Sequence, residues 1–538
     1  MMLKRFLYGI IGLLVISASV RCAKRGMPEG GPKDTIPPVF VKALPENYST
    51  HFNKEEIRIY FNEYIKLDNP QRQIIISPPM TKKPAITPLG SANKYIRIIL
   101  NDSLKENTTY SINFGKSITD NNEGNPYPFF KYVFSTGNYV DSLEVKGSLQ
   151  DAFKRETEEY VSVLLYEADE NYTDSLVYTT PPTYISYTKD STNNFELSNL
   201  KAGKYQLIAL LDKNDNYTYD PKQDKIGFHN ELITIPTDKS FSLRLFKEKL
   251  EFKAFRPKQE SLQHIIFGYE GSPENLEIAT LSNTPNDFSY RIFQDKKTDS
   301  LHFWFTPEIK TDSLVFFIKK QNYQDTLVTK LRALEKDSLQ FETSHKGNIN
   351  FDEAFQLSAN IPFEKADAGK ISIEKTDSTN VPFTLVYDKK YNAYTIDFEK
   401  EENQKYSITA LPGAFTDMYA HSNDTLNFRL STKAYTDYGN LYINLTNVKS
   451  FPVILQLLNA KDEVQKEIYH TQTDGNQFDF ININPSTYYI RVIYDANQNG
   501  VWDTGNFLKK QQPEESFIFK KPIEIRANWD YTETLTLP

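Results

Sequence analysis

Cysteine is nearly absent from this chain: Cys22 is the only one in 538 residues. An internal disulfide is therefore excluded, and packing alone must stabilise the fold. Histidine is sparse as well. The seven, His51, His229, His264, His302, His345, His421 and His470, are scattered, with no H-E-x-x-H and no paired ligand spacing, so the common zinc-enzyme signatures are missing. No G-x-S-x-G elbow occurs, which leaves a serine nucleophile without its turn. Gly115-Lys116-Ser117 ends like a phosphate loop, but Tyr110 stands where the first glycine is required. The sequence thus points away from an enzyme. Glycine and proline, 21 and 28 residues, are too few for a fibrous or disordered chain. The longest apolar run, Phe6 to Val20, is shorter than the ~18 to 20 residues that span a bilayer.

That run follows Lys4 and Arg5 and has the length of a signal-peptide core, so residues 1–21 read as a cleaved signal peptide. Ser19-Val20-Arg21-Cys22 comes directly after it, at the place where a lipoprotein signal sets small residues before the cysteine that is acylated. Arg21 and Ser19 depart from that pattern. The competing reading is ordinary cleavage after Ser17-Ala18-Ser19, with Cys22 left as a plain thiol. The context favours lipidation of Cys22: the segment 22–37 carries Gly26, Pro28, Gly30, Gly31, Pro32 and Pro37, a composition suited to a flexible tether. Loss of Lys4, Arg5 and Arg21 with residues 1–21 takes the net charge from −8 to −11, which argues against nucleic acid as a partner.

The remainder reads as β structure. Tyr and Phe number 34 and 36, and short alternating runs bounded by Asn, Asp, Gly or Pro recur at sandwich spacing. Such runs occur at Ile57 to Glu63, Tyr95 to Leu100, Thr109 to Phe114 and Phe130 to Phe134. A weaker copy recurs over 338–434. There Phe355 to Asn360 answers the first strand, Tyr406 to Ala410 answers Tyr110 to Phe114, and Phe428 to Thr432 answers the closing strand. A clearer repeat joins 142–247 with 438–538: Gly203 to Asp212 aligns with Ser486 to Asp495, and both continue as D-x-N-x-N-x-x-x-D. With 250–337 as a β domain of unnamed type, the expectation is an all-β string of five modules over 38–138, 142–247, 250–337, 338–434 and 438–538.

The repeated loop raises one chemical question. Asp212, Asn214, Asn216 and Asp220, and again Asp495, Asn497, Asn499 and Asp503, place oxygen side chains at positions 1, 3, 5 and 9 of a calcium-type loop. Gly500 at position 6 suits the sharp turn, whereas Tyr217 replaces it in the first loop, and Gln223 and Asn506 replace the bidentate Glu at position 12. Two carboxylates would hold calcium only weakly, at ~10⁻⁴ to 10⁻³ M. Asx turns that bond their own backbone explain the pattern equally well. No cofactor is required on either reading, and weakly bound calcium is the one candidate ligand.

Asp34-Thr35-Ile36-Pro37-Pro38, Ile57-Arg58-Ile59-Tyr60-Phe61-Asn62-Glu63 and Phe134-Ser135-Thr136-Gly137 resemble the bacterial Ig-like domain of S-layer proteins of the SbsA type. The modules with the D-x-N-x-N loops look like prealbumin-like or carboxypeptidase-regulatory-like β-sandwiches. Together with Asp503 to Leu508 and Ile525 to Trp529, these features resemble Ig-like envelope lipoproteins of Bacteroidota. The resemblance implies a non-catalytic outer-membrane lipoprotein, lipid-anchored on a face left open. Its partners would be envelope proteins, including a β-barrel assembly complex. The alternative is a surface adhesin or glycan-binding lipoprotein using Trp304 or Trp502, although Trp304 alternates like a core residue. Repeated Asp-Ser/Thr-Leu triplets, such as Asp102-Ser103-Leu104 and Asp424-Thr425-Leu426, resemble O-glycosylation acceptors of that phylum and also read as turns that open strands.

Overall fold

A computed structural model describes residues 34–188 and 193–538. Cys22, the signal-peptide reading of 1–21 and most of the tether lie outside the described residues. Of the described residues 49% lie in strands and 4% in helices, and most strand pairs are antiparallel. No helix among the described residues is long and apolar enough to cross a membrane.

The first sandwich shows how the alternating runs become layers. Phe40–Leu44, Glu56–Leu67, Asn93–Ile99 and Ala85–Thr87 form one sheet in that order, with Ile118–Asp120 paired to the far end of Glu56–Leu67. Ile75–Ser77, Thr109–Asn113 and Lys131–Ser135 form the facing sheet. Period-2 alternation sends Ile57, Ile59, Phe61 and Ile65 inward to meet Ile112, Phe114 and Phe134. Full burial contributes ~1.5 to 3 kcal/mol for each such side chain. Tyr110 stacks on Phe134 at 5.3 Å while its hydroxyl accepts from the Lys105 amide at 2.9 Å, so one residue serves both the core and the corner.

Residues 338–434 repeat that plan. Phe355–Ala359 pairs with Ala393–Phe398, and Lys405–Ala410 lies between Ile371–Lys375 and Leu426–Ser431. The polar corner is reproduced atom for atom. Tyr406 accepts from the Glu401 amide at 2.7 Å, again five residues upstream. Thr136 takes the Thr108 amide at 3.0 Å as Thr432 takes the Gln404 amide at 3.1 Å.

Residues 142–247 and 438–538 share a different plan. In the first, Leu143–Asp151 lies between Asn194–Leu200 and Ser240–Leu245, and its pairing with Ser240–Leu245 is parallel. In the last, Gly439–Thr446 lies between Gln477–Ile483 and Asp530–Thr536, again with a parallel terminal pair. The opposite sheets are built on Ser162–Glu167 with Gly203–Leu211 and on Val453–Leu458 with Ser486–Tyr494. In these strands alternation is lost: Leu207 to Leu211 and Val453 to Leu458 are buried without a break, so both faces of the sheet are covered. Residues 250–337 also form a two-sheet sandwich around Phe267, Phe303 and Phe316. Trp304 points out of that core and is only 2% exposed, packed with Phe293 of its own sheet and with Ile361 of the following module.

Candidate functional site

Strands Gly203–Leu211 and Ser486–Tyr494 run straight into the two Asp/Asn loops. Asp212 accepts from the amides of Asn214 at 2.9 Å and Tyr217 at 2.6 Å, and Asn216 accepts from Thr218 at 2.9 Å. Burial raises the Asp212 carboxyl above the ordinary range, opposed by these amides. The second loop follows the same rule. Asp495 accepts from Asn499 at 3.1 Å and Gly500 at 2.8 Å, and Asn499 accepts from Val501 at 2.9 Å. Asn497 and Asn499 both donate to Asp503, at 2.5 and 2.7 Å. Tyr217 adopts φ of 60° at the position where Gly500 adopts 78°, so the same left-handed turn is made with a side chain that pays for it in strain.

Two carboxylates that the spacing did not single out tie these loops shut. Asp224, with no exposed surface, accepts from the amides of Lys213 at 2.9 Å and Asp220 at 2.8 Å, loop positions 2 and 9. Glu514 does the same in the last module, from Ala496 at 2.8 Å and Asp503 at 3.0 Å. Position 12, where Gln223 and Asn506 stand, takes neither part. Asp220 accepts from Lys222 at 3.0 Å. The side-chain oxygens of Asp212, Asn216, Asp220, Asp495, Asn497 and Asn499 are thus engaged by backbone N–H groups, the Asx-turn chemistry, while Asp503 takes side-chain amides. Among the described residues no group of three or more His, Cys, Asp or Glu is placed to hold a metal ion.

Beyond the loops, the two related modules bind each other. Phe153 of the first is held between the Arg491 guanidinium, 3.5 Å above its ring, and Trp502, stacked at 4.3 Å. Arg491 is 1% exposed; its Nε donates to Gln456 at 2.7 Å and a terminal nitrogen to the Phe153 carbonyl at 2.5 Å. Burial pushes its pKa down to about 10. Arg155 lies 3.6 Å over Tyr489 and donates to the Ala460 carbonyl at 2.9 Å. Traffic also runs the other way. Phe507, fully buried, meets Phe228 edge-on at 5.2 Å, and Lys510 reaches Asp174 at 2.7 Å and Gln206 at 3.1 Å. In the aligned strands Gln206 and Tyr489 occupy the same position, so each module receives a cation from the other at one equivalent point.

The remaining candidate residues are accounted for in simpler ways. Trp304 stacks on His264 at 4.0 Å inside a module contact, and Trp502 is spent on Phe153. Neither is a free glycan platform; Trp529, 56% exposed, is the accessible tryptophan. In the Asp-Ser/Thr-Leu triplets, Ser103, Ser142, Ser175, Thr326 and Thr425 are exposed, whereas the leucines that follow are at least partly covered. His264 and His302 share a 2.8 Å contact, with Asp295 3.3 Å from His302. Burial, then His302, lowers the His264 pKa to about 3, so it is neutral.

Comparison with curated protein sequences gives no match. Among solved structures, the chain is similar to the crystal structure of the S-layer protein rSbsC(31-844), at 10% identity and a TM-score of 0.17, covering 90% of this chain and 67% of that one. It is similar to BcpA, the major pilin subunit of Bacillus cereus, at 10% identity and a TM-score of 0.14, covering 74% and 99%. The I9-I11 tandem from titin gives 9% identity and a TM-score of 0.12, covering 53% and 100%. None of these carries a function to this chain. Residues 34–136 match the family described as bacterial Ig-like domain, and the first sandwich is such a domain within an all-β chain.

Proposed function

We propose that this protein is a non-catalytic lipoprotein of the outer membrane, anchored through Cys22, and that it serves as a structural or protein-interaction subunit of an envelope complex engaged in outer-membrane protein assembly. The observation that carries the reading is the order of the chain: the only cysteine, a Gly/Pro-rich segment, then a bacterial Ig-like domain that begins at residue 34. Mutually braced sandwiches support a scaffold, because their polar groups are spent on holding modules together. On this reading the Asp212 and Asp495 loops are self-supporting turns that need no cation.

Gentle solubilisation of membranes carrying a tagged chain, followed by identification of what co-purifies, tests the proposal. A stable complex with a β-barrel protein is expected. Recovery of no partner, together with specific retention on a glycan array, would replace the subunit reading with an adhesin. Palmitate labelling that is lost in Cys22→Ser is expected of the anchor, and label that persists would refute it.

A further inference from the structure

The outer face of the first sandwich differs in charge from the rest of the molecule. Residues 34–138 carry 12 Lys and Arg against 10 Asp and Glu, whereas residues 139–538 carry 44 against 59. The strand register sets five of those twelve cations, Lys42, Arg58, Lys66, Lys94 and Arg97, on one sheet. Opposed residues in antiparallel strands share a face, so the pairings Lys42↔Tyr60 and Tyr60↔Tyr95 set these three in one row. The next row is Leu44, Arg58, Arg97 and Thr87. Glu56 is the carboxylate of this face, and it is neutralised twice, by Arg58 at 2.5 Å and Arg97 at 2.7 Å. Lysine and tyrosine interleave: Lys42 sits 5.4 Å over Tyr60, Lys94 sits 5.4 Å over Tyr64, and Tyr60 and Tyr95 meet at 5.4 Å.

An apolar fringe borders this basic, tyrosine-bearing surface. Ile36, Val39, Val41 and Leu44 are 65%, 52%, 57% and 50% exposed. They lie where the chain enters the domain, the Val39 amide being fixed to Asn62 at 2.7 Å. Cations matched to phosphate, phenols suited to the headgroup zone and aliphatic side chains beside them form the chemistry of a peripheral membrane contact. We infer that this face of the first sandwich docks on an anionic lipid surface, as a second attachment beside the acyl anchor. The inference deepens the reading of Cys22 as that anchor. Cys22 and Asp34 are 12 positions apart, and an extended chain of that length spans at most ~40 Å. The anchor therefore holds the face within reach of the headgroups.

The test uses the chain from residue 22 with Cys22→Ser, so that no acyl group contributes and the outcome is independent of palmitate labelling. It is sedimented with phosphatidylcholine vesicles that contain one third phosphatidylglycerol, and with pure phosphatidylcholine vesicles. Binding is expected to the anionic vesicles alone and to fall as sodium chloride is added. Lys42 and Lys94 are exposed; Lys42→Ala with Lys94→Ala is expected to weaken binding about thirtyfold, at ~1 kcal/mol per lysine. Lys389→Ala with Lys390→Ala, on an exposed turn of the second Ig-like module, is expected to bind as the parent does. The inference is overturned by absent binding, by equal binding to pure phosphatidylcholine, by insensitivity to salt, or by equal losses in the two double variants.

Discussion

Arg491 offers the sharpest test of the contact between the related modules. Its guanidinium is fully covered, stands 3.5 Å over Phe153 and donates to the Phe153 carbonyl and to Gln456. A hydrogen bond from a charged donor is worth ~1.5 to 3 kcal/mol, and a desolvated cation–π contact about 2 kcal/mol. Burial of the charge, which holds its pKa near 10, subtracts from that gain. Arg491→Ala is therefore expected to cost about 3 kcal/mol. Urea unfolding of the chain from residue 22, followed by tryptophan fluorescence, is the measurement, because Trp502 stacks on the same ring. Hydrogen exchange at Ala152 to Arg155 should rise in the variant. A double-mutant cycle with Phe153→Ala is expected to give a coupling of about 1 to 3 kcal/mol. Coupling near zero, with exchange at 152–155 unchanged, would refute the account of this contact.

Gly147→Ala would put a methyl 2.1 Å from the Phe241 carbonyl oxygen and 2.3 Å from the Phe195 ring. A destabilisation on the order of 3 kcal/mol or loss of soluble protein is expected. Gly500→Ala meets no atom within 4 Å, so only the strain of φ at 78° remains, and urea unfolding should show about 1 kcal/mol. Since the loops are braced by Asp224 and Glu514, a chelator is expected to leave the melting temperature unchanged; a fall on chelation that calcium restores would reverse that reading. His264 is held neutral down to pH about 3, whereas an unfolded histidine takes its proton near pH 6.5. Stability should therefore fall as pH drops from 6.5 towards 3, by up to ~1.4 kcal/mol per unit, and His264→Gln should flatten the slope between pH 6 and 4.

The layered β architecture was legible because each residue of Ile57, Ile59 and Phe61, or of Ile96 and Ile98, points to one side of a pleat, and water decides which side. Trp304 was readable as an inward residue for the same reason, though what covers it is His264, Phe293 and, from the next module, Ile361 rather than the core of its own sandwich. The loops were located by spacing, but their braces were not. Asp224 lies 12 residues past Asp212 and Glu514 lies 19 past Asp495, so a shared motif length could not reveal that both carboxylates bind positions 2 and 9. Contacts such as Phe153 with Arg491, 338 residues apart, obey no local rule at all. Their one signal in the sequence is the break in alternation at Leu207 to Leu211 and at Val453 to Leu455, where a strand that should show water one face shows it neither.

The parallel pairing of first and last strands in the modules 142–247 and 438–538 has a mechanical consequence. Residues 146–151 pair in register with 240–245, and 440–446 with 530–536. A pull on the chain at both ends of such a module drags these strands lengthwise past each other. The load then falls on the whole row of bonds together rather than on one bond at a time. An antiparallel terminal pair pulled the same way would unzip. A module paired in this way is thereby built to resist tension applied along the chain. Single-molecule stretching should show these modules yielding at higher force than the 250–337 sandwich, whose terminal strands, Lys253–Ala254 and Tyr323–Lys330, lie in different sheets.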